Sequence, residues 1–575
     1  MLSAESFPDR DDAGLVIACD VRGLHVRLAT WVVREEGRTV GAVFGPVTAT
    51  EAKRLVARLS RHDDPGSTAQ DLPWAAAALR VDGTVAVTTS MMLSSGLFST
   101  AQPGPTAGAE KSRPWVAATD PLHVAAADGR SVCLDLDFLR EFVLLHSPVK
   151  GGPFLGVLRT PSGETLRWCL RAPATATQWC GPDTVPPPTR AGPSLIADYR
   201  AAFDEVTSNL ASRAGAVVTT LSGGLDSAFM VASLARAPRD GGPIQAFCHS
   251  PLPEAHAPVV GRWDPDDFPL ADAMARSWSP KIQLRPLRNE NRIHPLDVAA
   301  AVSLTRGWPV SGVGNGVWLT DFARRAVDAG SCMRFFATHG NASFSDSHRY
   351  AVVHYLNRLR PWRSLWLCAP AMRGDVPLRT AARVRIVEPL RRRGADPTTS
   401  IHRRRRIGLA GQGPEPTFDV GRAHYLKWLT GRLRSLAAAN NPTSAGGNLI
   451  ADPFASRTMI EMAASIQPGE WQRGHADRAL ARRLGKGRVP DEIRLRRRRG
   501  GQARDTLFIL RLNPSRLMDS LATTPAEVWQ GLGIDAHTLR GTAQYLLTSD
   551  TDPPVGWVED VLRAAAMGEF VTAFR

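Results

Sequence analysis

Two serines, two glycines and an aspartate fall within six consecutive positions, 222–227, which read Ser-Gly-Gly-Leu-Asp-Ser. Adjacent glycines allow a turn tight enough to direct several backbone N–H groups at one point, where an anion fits. The two hydroxyls add hydrogen-bonding groups, and the carboxylate of Asp226 is a ligand that Mg²⁺ prefers. The pattern predicts a cradle for a magnesium-bound pyrophosphate. The predicted binding residues are Leu221, Ser222, Gly223, Gly224, Leu225, Asp226 and Ser227.

Two elements must position this loop. Residues 217–220 are β-branched, which favours a strand that ends at Leu221. The segment from Ser227 to Ala235 is a good helix former, and the N-terminus of such a helix supplies free N–H donors and a partial positive charge. A strand that leads through this loop into a helix is therefore expected to hold phosphate groups.

A Walker A loop, a nucleophile elbow and a turn that binds nothing are the three alternatives to a pyrophosphate-binding loop. A Walker A loop requires a Lys-Ser or Lys-Thr pair after its last glycine, and this loop has none. A nucleophile elbow requires Gly-x-Ser-x-Gly, which residues 221–224 do not match. A serine- and glycine-rich turn that binds nothing is the third alternative. The combination of strand, serines, aspartate and helix favours a loop that binds the β,γ-pyrophosphate of ATP, so that ATP is cleaved at the α-phosphate.

The composition is that of a globular protein with a strongly basic surface. The chain has 575 residues, 43% of them hydrophobic, and a formal charge of +15. The basic runs 391–393, 403–406 and 496–499 lack interleaved aromatic residues on which bases would stack, so we expect no nucleic-acid partner. The first residues do not resemble a secretory signal, and no apolar run is long enough to span a membrane. The seven cysteines have no metal-binding spacing. These features predict a cytoplasmic protein.

The order of predicted elements indicates two domains. Residues 1–180 contain short β-like runs and a helix near 50–59, which predicts an α+β layer domain. A proline-rich stretch, 181–193, is the expected linker. In the second domain, 194–575, apolar residues from Leu195 to Leu210 recur at helical spacing, with Ser194 as the expected cap. Strands and helices then alternate, which predicts a doubly wound parallel sheet with ligands at the carboxyl ends of its strands.

Several segments together resemble the asparagine synthetase superfamily. They are the loop Leu-Ser-Gly-Gly-Leu-Asp-Ser at 221–227, Phe154–Leu166, Asp452–Ile466 and the basic segment Arg494–Asp505. The resemblance covers roughly the whole chain, although only the loop is sharply specific. It implies an α/β protein: a degenerate, glutaminase-like α+β domain of the Ntn-hydrolase type, then a PP-loop synthetase domain like the adenine-nucleotide α-hydrolases, with a helical C-terminal part.

The chain departs from that family at two places. Glutamine-dependent members have a nucleophilic cysteine at the second position, whereas this chain begins Met1-Leu2-Ser3. The resemblance thus implies a glutaminase-like domain without its nucleophile. After the third strand of the second domain the family has Ser-Gly-Glu-Gly-Ser-Asp-Glu, and this chain has Ala-Thr-His-Gly-Asn-Ala-Ser at 337–343. Gly340 and Asn341 are expected at the pyrophosphate, with Asp226 as the metal ligand. A shift of the alignment by one residue would place Ala342 at the family's aspartate instead, and an ordinary loop is the structural alternative. This pattern is similar to the lasso-peptide macrolactam synthetases.

Other residues have a functional and a structural interpretation. In the basic run, Arg498 or Arg499 is expected near the reacting carbonyl, where a guanidinium would stabilise the developing negative charge; a solvated charged run is the alternative. His339 is a candidate for the reaction centre or a structural histidine. Asp266 and Asp267 either face the nucleotide or begin a helix. The Gly-Val-Gly-Asn-Gly sequence at 312–316 matches a dinucleotide-binding fingerprint only superficially, because no clear strand precedes it.

The resemblance implies an enzyme that uses ATP and Mg²⁺ to form an amide bond. As a lasso-peptide cyclase, it would adenylate an Asp or Glu side chain of a precursor peptide and close a macrolactam with the N-terminal amine. Its partners would be the precursor peptide, a leader peptidase and a leader-binding protein. The alternatives are an amide synthetase for small molecules, like β-lactam or asparagine synthetases, and a basic binding protein without catalytic activity.

Overall fold

The computed structural model describes most of residues 2–346, 449–471 and 478–575. The longest internal gaps in the first range are 7–15, 62–68, 101–114 and 256–262, and between 347 and 448 only Leu426 and Leu429 are described. The predicted basic runs at 391–393 and 403–406 therefore lie outside the described residues. Helices and strands are numbered below in chain order over the described residues.

Two antiparallel sheets form the N-terminal part of the fold. A seven-stranded sheet has the order β1-β4-β5-β6-β7-β11-β12, and a five-stranded sheet has the order β10-β8-β9-β2-β3. The strands are Leu2–Ser6 (β1), Val16–Asp20 (β2), Gly23–Leu28 (β3), Trp31–Glu35 (β4), Arg38–Phe44 (β5), Ala75–Leu79 (β6), Val85–Thr89 (β7), Leu97–Thr100 (β8), Trp115–Ala118 (β9), Val157–Thr160 (β10), Glu164–Cys169 (β11) and Ala172–Gln178 (β12).

The helices of this N-terminal part are Ala49–Arg61 (α1), Pro121–Ala127 (α2) and Leu136–Leu145 (α3). α1 is amphipathic: Leu55, Val56 and Leu59 are buried against the larger sheet, while its arginines face outward. The β-like runs and the helix expected before residue 180 are thus present in the structure.

The proline-rich segment 181–193 leads from the antiparallel sheets to a long helix, Ser194–Arg213 (α4). The apolar face predicted from Leu195 to Leu210 is buried in the core, as expected. The predicted cap was wrong. Pro193 occupies the N-cap position with no side-chain cap bond, and Ser194 is the first helical residue. The φ of −67° that the proline ring fixes at Pro193 is compatible with a helix start.

A five-stranded parallel sheet follows, with the order β16-β14-β13-β17-β18, so the predicted parallel sheet is confirmed. Its strands are Val218–Thr220 (β13), Ile244–His249 (β14), Ile282–Leu287 (β16), Met333–Phe335 (β17) and Leu449–Ala451 (β18). Its helices are Leu225–Arg236 (α5), Phe268–Ser277 (α6), Pro295–Arg306 (α7), Gly316–Asp328 (α8) and Gly340–Ser343 (α9). α4 and α5 share one core cluster with the sheet, whereas α8 packs against residues of its other face.

The remaining elements are helical except for one short strand. They are Arg457–Ser465 (α10), Pro468–Trp471 (α11), Ala479–Gly485 (α12), Asp491–Arg494 (α13), Arg499–Gly500 (β19), Thr506–Leu512 (α14), Pro514–Thr523 (α15), Ala526–Leu532 (α16), Ala536–Thr548 (α17) and Val555–Ala573 (α18). β19 pairs in parallel with Trp263–Asp264 (β15). None of the described helices combines the length and the apolar character that crossing a membrane requires.

A partly buried acid joins the N-terminal part to the start of α10. The carboxylate of Asp71 accepts hydrogen bonds from the N–H (3.1 Å) and the hydroxyl (2.8 Å) of Thr458. Burial raises the pKa of Asp71, although the hydrogen bonds from Thr458 act in the opposite direction. Because a carboxylate at a helix N-terminus is stabilised by the helix dipole, this contact fixes α10 against the antiparallel sheets.

His294 is the N-cap residue of α7, and its Nδ1 accepts a hydrogen bond from the N–H of Leu296 at 3.3 Å. The side chain is buried, and the charged groups around it are Asp297, Arg516 and Glu569. Burial lowers the pKa of His294 to about 4. Between about pH 4 and pH 6.5, the imidazole of His294 therefore stays neutral in the folded protein, whereas it would bind a proton in the unfolded chain.

This histidine should make the fold sensitive to acid. A lowered pKa means that its contribution to stability is complete above about pH 6.5 and is lost as the pH falls toward 4. We expect His294→Asn, which keeps a capping oxygen, to reduce the loss of stability between pH 7 and pH 5 by about 2 kcal/mol. Denaturant unfolding of both proteins at the two pH values measures this difference. An equal loss in both proteins would contradict the prediction.

Candidate functional site

The predicted phosphate loop connects β13 to α5 and is held by its own serines. The hydroxyl of Ser227 accepts from the N–H of Ser222 at 3.1 Å and lies 2.9 Å from the Ser222 hydroxyl. The N–H of Gly224 donates to the Ser222 hydroxyl at 3.2 Å. Much of the hydrogen bonding of the two hydroxyls is thus internal to the loop. The two hydroxyls therefore stabilise the conformation of the loop, whereas the sequence predicts them as hydrogen-bonding groups for the anion.

The N-terminus of α5 opens at this loop. Gly224 is its N-cap residue, with extended backbone angles and no side-chain cap bond. The N–H groups of the first helical turn have no carbonyl partner within a helix, and the dipole of the 12-residue helix adds a partial positive charge there. The free N–H groups and the positive end of the helix dipole both favour an anion at this position, the kind of ligand that the sequence predicts.

The loop forms one wall of a cavity of about 490 Å³. The cavity lies along the carboxyl ends of β13, β14, β17 and β18, the edge at which doubly wound sheets bind ligands. The predicted residues that line it are Leu221, Ser222, Gly223, Gly224, Leu225, Asp226, Ser227, His339, Asn341 and Arg498. Residues from three segments, each more than a hundred positions from the next, therefore meet here.

The segment after β17 lies directly against Asp226. A Cβ atom at Gly340 would come within 2.8 Å of Asp226 Cβ and 3.0 Å of its Cγ, so this contact requires glycine. Asn341 follows Gly340 as the second residue of the short helix α9. The Oδ1 of Asn341 accepts a hydrogen bond from Arg478 at 3.3 Å, and Arg478 Nη1 lies 3.8 Å from Asp226 Oδ2. Gly340 thus contacts Asp226 directly, and Asn341 is linked to it through Arg478.

Arg496 fastens the basic segment to the phosphate loop. Its Nη1 donates to the carbonyl of Gly223 at 3.0 Å and to Asp267 Oδ1 at 2.9 Å, and its Nη2 donates to Asp264 Oδ2 at 2.6 Å. The side chain is only 9% exposed. This cluster of Arg496, Asp264, Asp267 and the Gly223 carbonyl is called the Arg496 clamp below.

Close packing and electrostatics both depend on the Arg496 clamp. A Cβ atom at Gly500 would lie 1.9 Å from Asp267 Oδ2, so only glycine lets β19 approach this carboxylate. Burial raises the pKa of Asp267, partly offset by its hydrogen bond to Arg496. Burial also acts to raise the pKa of Asp264, but hydrogen bonds from Arg496 and Arg498 outweigh it and lower that pKa. The guanidinium of Arg496 therefore opposes the effect of burial on the pKa of both neighbouring carboxylates.

The two arginines predicted at the reaction centre have different positions. Arg498 lines the cavity, is 56% exposed on its side chain and forms an ion pair with Asp264 at 3.2 Å. Arg499 lies in β19, where its backbone pairs with Trp263, and its side chain lies outside what the structure describes. Arg498 is positioned to contact a ligand.

His339 is completely buried at the wall of the cavity. Its backbone N–H donates to Asp452 Oδ2 at 2.7 Å, and the N–H of Phe454 donates to Asp452 Oδ1 at 3.1 Å. Burial raises the pKa of Asp452 to about 7, and the charge of Asp226 adds to the shift. Asp452, which follows β18, therefore places a second acid in the cavity and fixes the loop that carries His339.

The acidic pair Asp266 and Asp267 lies at the start of α6, as the second interpretation predicts, whereas its contact with a nucleotide stays a prediction. Asp266 Oδ1 accepts from the N–H of Phe268 at the start of α6, at 2.9 Å, and Asp267 lines the cavity within the Arg496 clamp. The glycine-rich segment at 312–316 forms a 3₁₀ turn. The N–H groups of Val313 and Gly314 donate to the carboxylate of Glu559 at 2.9 and 3.2 Å, so they are not available to a phosphate.

Several cavity residues were missed by sequence reasoning. They are Met92, Asn315, Trp318, Asp452, Arg478, Arg482, Arg496 and Arg497. A signal existed for Asp452, because a carboxylate directly after a strand is expected at the ligand-binding edge of a parallel sheet. Arg496 was part of a recognised basic run. For Met92, which comes from the antiparallel part, no local signal exists.

The oxygen ligands of the cavity suit Mg²⁺. The carboxylate of Asp226 and the side-chain carbonyl of Asn341 are hard oxygen donors, and Mg²⁺ is usually held by one or two carboxylates together with substrate phosphates. Among the described residues no group of three or more His, Cys, Asp and Glu side chains forms a metal site. Phosphate oxygens and water would therefore have to complete the coordination.

Comparison with known proteins gives no independent assignment. No protein-family model matches the chain, and no curated protein matches it significantly. The function is therefore argued from the site itself.

Proposed function

We propose that the chain is an ATP- and Mg²⁺-dependent ligase that forms an amide bond by way of an acyl-adenylate. The observation that carries this proposal is the serine- and glycine-rich loop at the N-terminus of α5, which opens into a cavity that Asp226, Asn341 and Arg498 also line. A loop without the P-loop lysine supports binding of the leaving pyrophosphate and attack at the α-phosphorus.

A few groups of the cavity have a role in this reaction. The N–H groups of the loop and of the first turn of α5 bind the β- and γ-phosphates. Asp226 and Asn341 would hold a Mg²⁺ ion, which would neutralise charge on the phosphates. Arg498 faces the charge that develops when a carboxylate oxygen forms a bond to the α-phosphorus and the bond to pyrophosphate breaks. Attack by an amine on the resulting mixed anhydride then forms the amide, and AMP and a proton leave.

The proposed substrate is a ribosomally made peptide. Its Asp or Glu side chain would be activated and its own N-terminal amine would be the nucleophile, so that a macrolactam closes. Holding both groups in one cavity makes the second step effectively intramolecular. The partners would be the precursor peptide, a leader peptidase and a leader-binding protein in the cytoplasm. The finer fold assignment is a degenerate glutaminase-like domain over 1–180, a linker over 181–193 and a PP-loop synthetase domain over 194–575.

Mass spectrometry tests this proposal. The candidate substrate is a peptide encoded by a short reading frame beside the gene, with its leader removed. With ATP and Mg²⁺, the peptide should lose one water molecule while AMP accumulates. Pyrophosphate exchange that depends on free aspartate and ignores peptides would instead indicate a small-molecule synthetase. Salt-sensitive binding of RNA without AMP release would indicate a binding protein.

A further inference from the structure

Arg478 lies between the two residues expected to hold the metal. Its Nη2 donates to Asn341 Oδ1 at 3.3 Å, and its Nη1 is 3.8 Å from Asp226 Oδ2. Both charged side chains are largely buried, with 24% of Arg478 and 13% of Asp226 exposed. In this arrangement a guanidinium bridges a carboxylate and an amide carbonyl at the wall of the cavity.

The backbone of Arg478 has an unusual conformation for this residue type. Its φ of 60° and ψ of 38° lie in the left-handed region, at the N-cap of α12. For a residue other than glycine, asparagine or aspartate this conformation is strained and is concentrated at binding and catalytic sites. Ala479 and Leu480, which follow Arg478 in α12, are buried.

The other arginines near this wall are bound differently. Arg482, one helical turn later, donates to the backbone carbonyls of Arg494 and Arg496. Arg496 donates to Asp264, Asp267 and the Gly223 carbonyl within the Arg496 clamp. Arg478 instead uses its donors on Asp226 and Asn341, and a guanidinium has five N–H groups, so further donors are available for phosphate oxygens.

We propose that Arg478 binds the pyrophosphate of ATP and supplies the positive charge that a second metal ion would supply if position 341 were acidic. This inference rests on the proposed function. An Asp–Asp pair brings two negative charges to a metal site, whereas Asp226 and Asn341 bring one. The guanidinium of Arg478 is permanently charged and is hydrogen-bonded to the amide carbonyl of Asn341. It therefore offsets negative charge on the phosphates in place of one metal ion.

Metal counting separates this proposal from the alternatives. The probes are Mn²⁺, followed by electron paramagnetic resonance, and α,β-methylene-ATP, a nucleotide that is not cleaved at the α-phosphate. We expect Arg478→Met to weaken nucleotide binding at least tenfold with the Mn²⁺ count unchanged. The double variant Asn341→Asp/Arg478→Met should bind one additional Mn²⁺ per nucleotide and recover most of the lost affinity at high Mn²⁺. Arg324→Met, which removes an exposed arginine of α8, is the matched control and should have no effect.

The outcomes distinguish two failures. If the wild-type protein does not bind the nucleotide, the proposed function itself is contradicted. If it binds, and Arg478→Met retains wild-type affinity or the double variant binds no additional Mn²⁺, only the role of Arg478 is overturned. Thermal unfolding of each variant establishes that the comparison is made between folded proteins, and Arg478→Lys, which keeps the charge without the planar fork, should retain part of the affinity.

Discussion

Asp226→Asn should lower the rate of ATP–pyrophosphate exchange by about 100- to 1000-fold, the size of effect expected when a group that stabilises charge in a closed site is removed. The carboxylate lies at the first turn of α5, faces the cavity and packs against the backbone of Gly340. Asparagine has nearly the same shape, so the loop should keep its conformation while one negative charge is lost from the metal site. Exchange of labelled pyrophosphate into ATP measures the effect.

A matched surface variant controls for this prediction. Asp272 lies on α6, is 44% exposed on its side chain and pairs with Arg276 one turn later. Asp272→Asn removes the same charge without touching the cavity, so the exchange rate should be unchanged. Similar rates for Asp226→Asn and the wild-type protein would show that Asp226 has no part in binding the nucleotide or its metal.

Arg496→Met is expected to have the largest effect on stability. It would leave the carboxylates of Asp264 and Asp267 beside each other without their shared guanidinium, and Asp267 is 7% exposed. Breaking a buried ion pair by removing one partner costs about 3–5 kcal/mol. The Gly223 carbonyl would lose its donor as well, so the phosphate loop should also lose order. Denaturant unfolding and hydrogen exchange at residues 222–227 measure the two consequences.

Arg498 provides the comparison for this second prediction. It shares Asp264 with Arg496 but is largely exposed, and surface ion pairs contribute about 0–1 kcal/mol. Arg498→Met should therefore leave stability nearly unchanged. Adding Asp267→Asn to Arg496→Met should restore part of the lost stability, because one of the unpaired charges disappears. Equal stability of the Arg496 and Arg498 variants would contradict the clamp.

The parallel sheet and its loop could be predicted because their signals are local. β-branched residues before the glycines, the helix-forming segment after them and the alternation of later strands and helices each depend on a few neighbouring positions. The same is true of α4, whose apolar spacing alone located its buried face. Its start was misplaced by one residue because Ser194 and Pro193 are both compatible with a helix N-terminus.

The clamp and the bridge at Arg478 could not be predicted from local signals. In sequence, Arg496 is the first of four consecutive arginines, and only its burial against Asp264 and Asp267 distinguishes it from Arg498. Arg478 belongs to no motif, and its partner Asn341 lies far away in the chain. Asp452 enters the cavity because β18 pairs with β17. Sheet order of this kind is set by tertiary packing.

The most direct test of the central claim is isotope transfer from the acceptor carboxylate. The peptide encoded beside the gene is prepared with ¹⁸O in its acidic side chain and incubated with ATP, Mg²⁺ and the protein. Attack of this carboxylate on the α-phosphorus predicts AMP that carries one ¹⁸O atom and a cyclised peptide that retains the other. Labelled inorganic phosphate with ADP, or AMP without the label, would contradict the account.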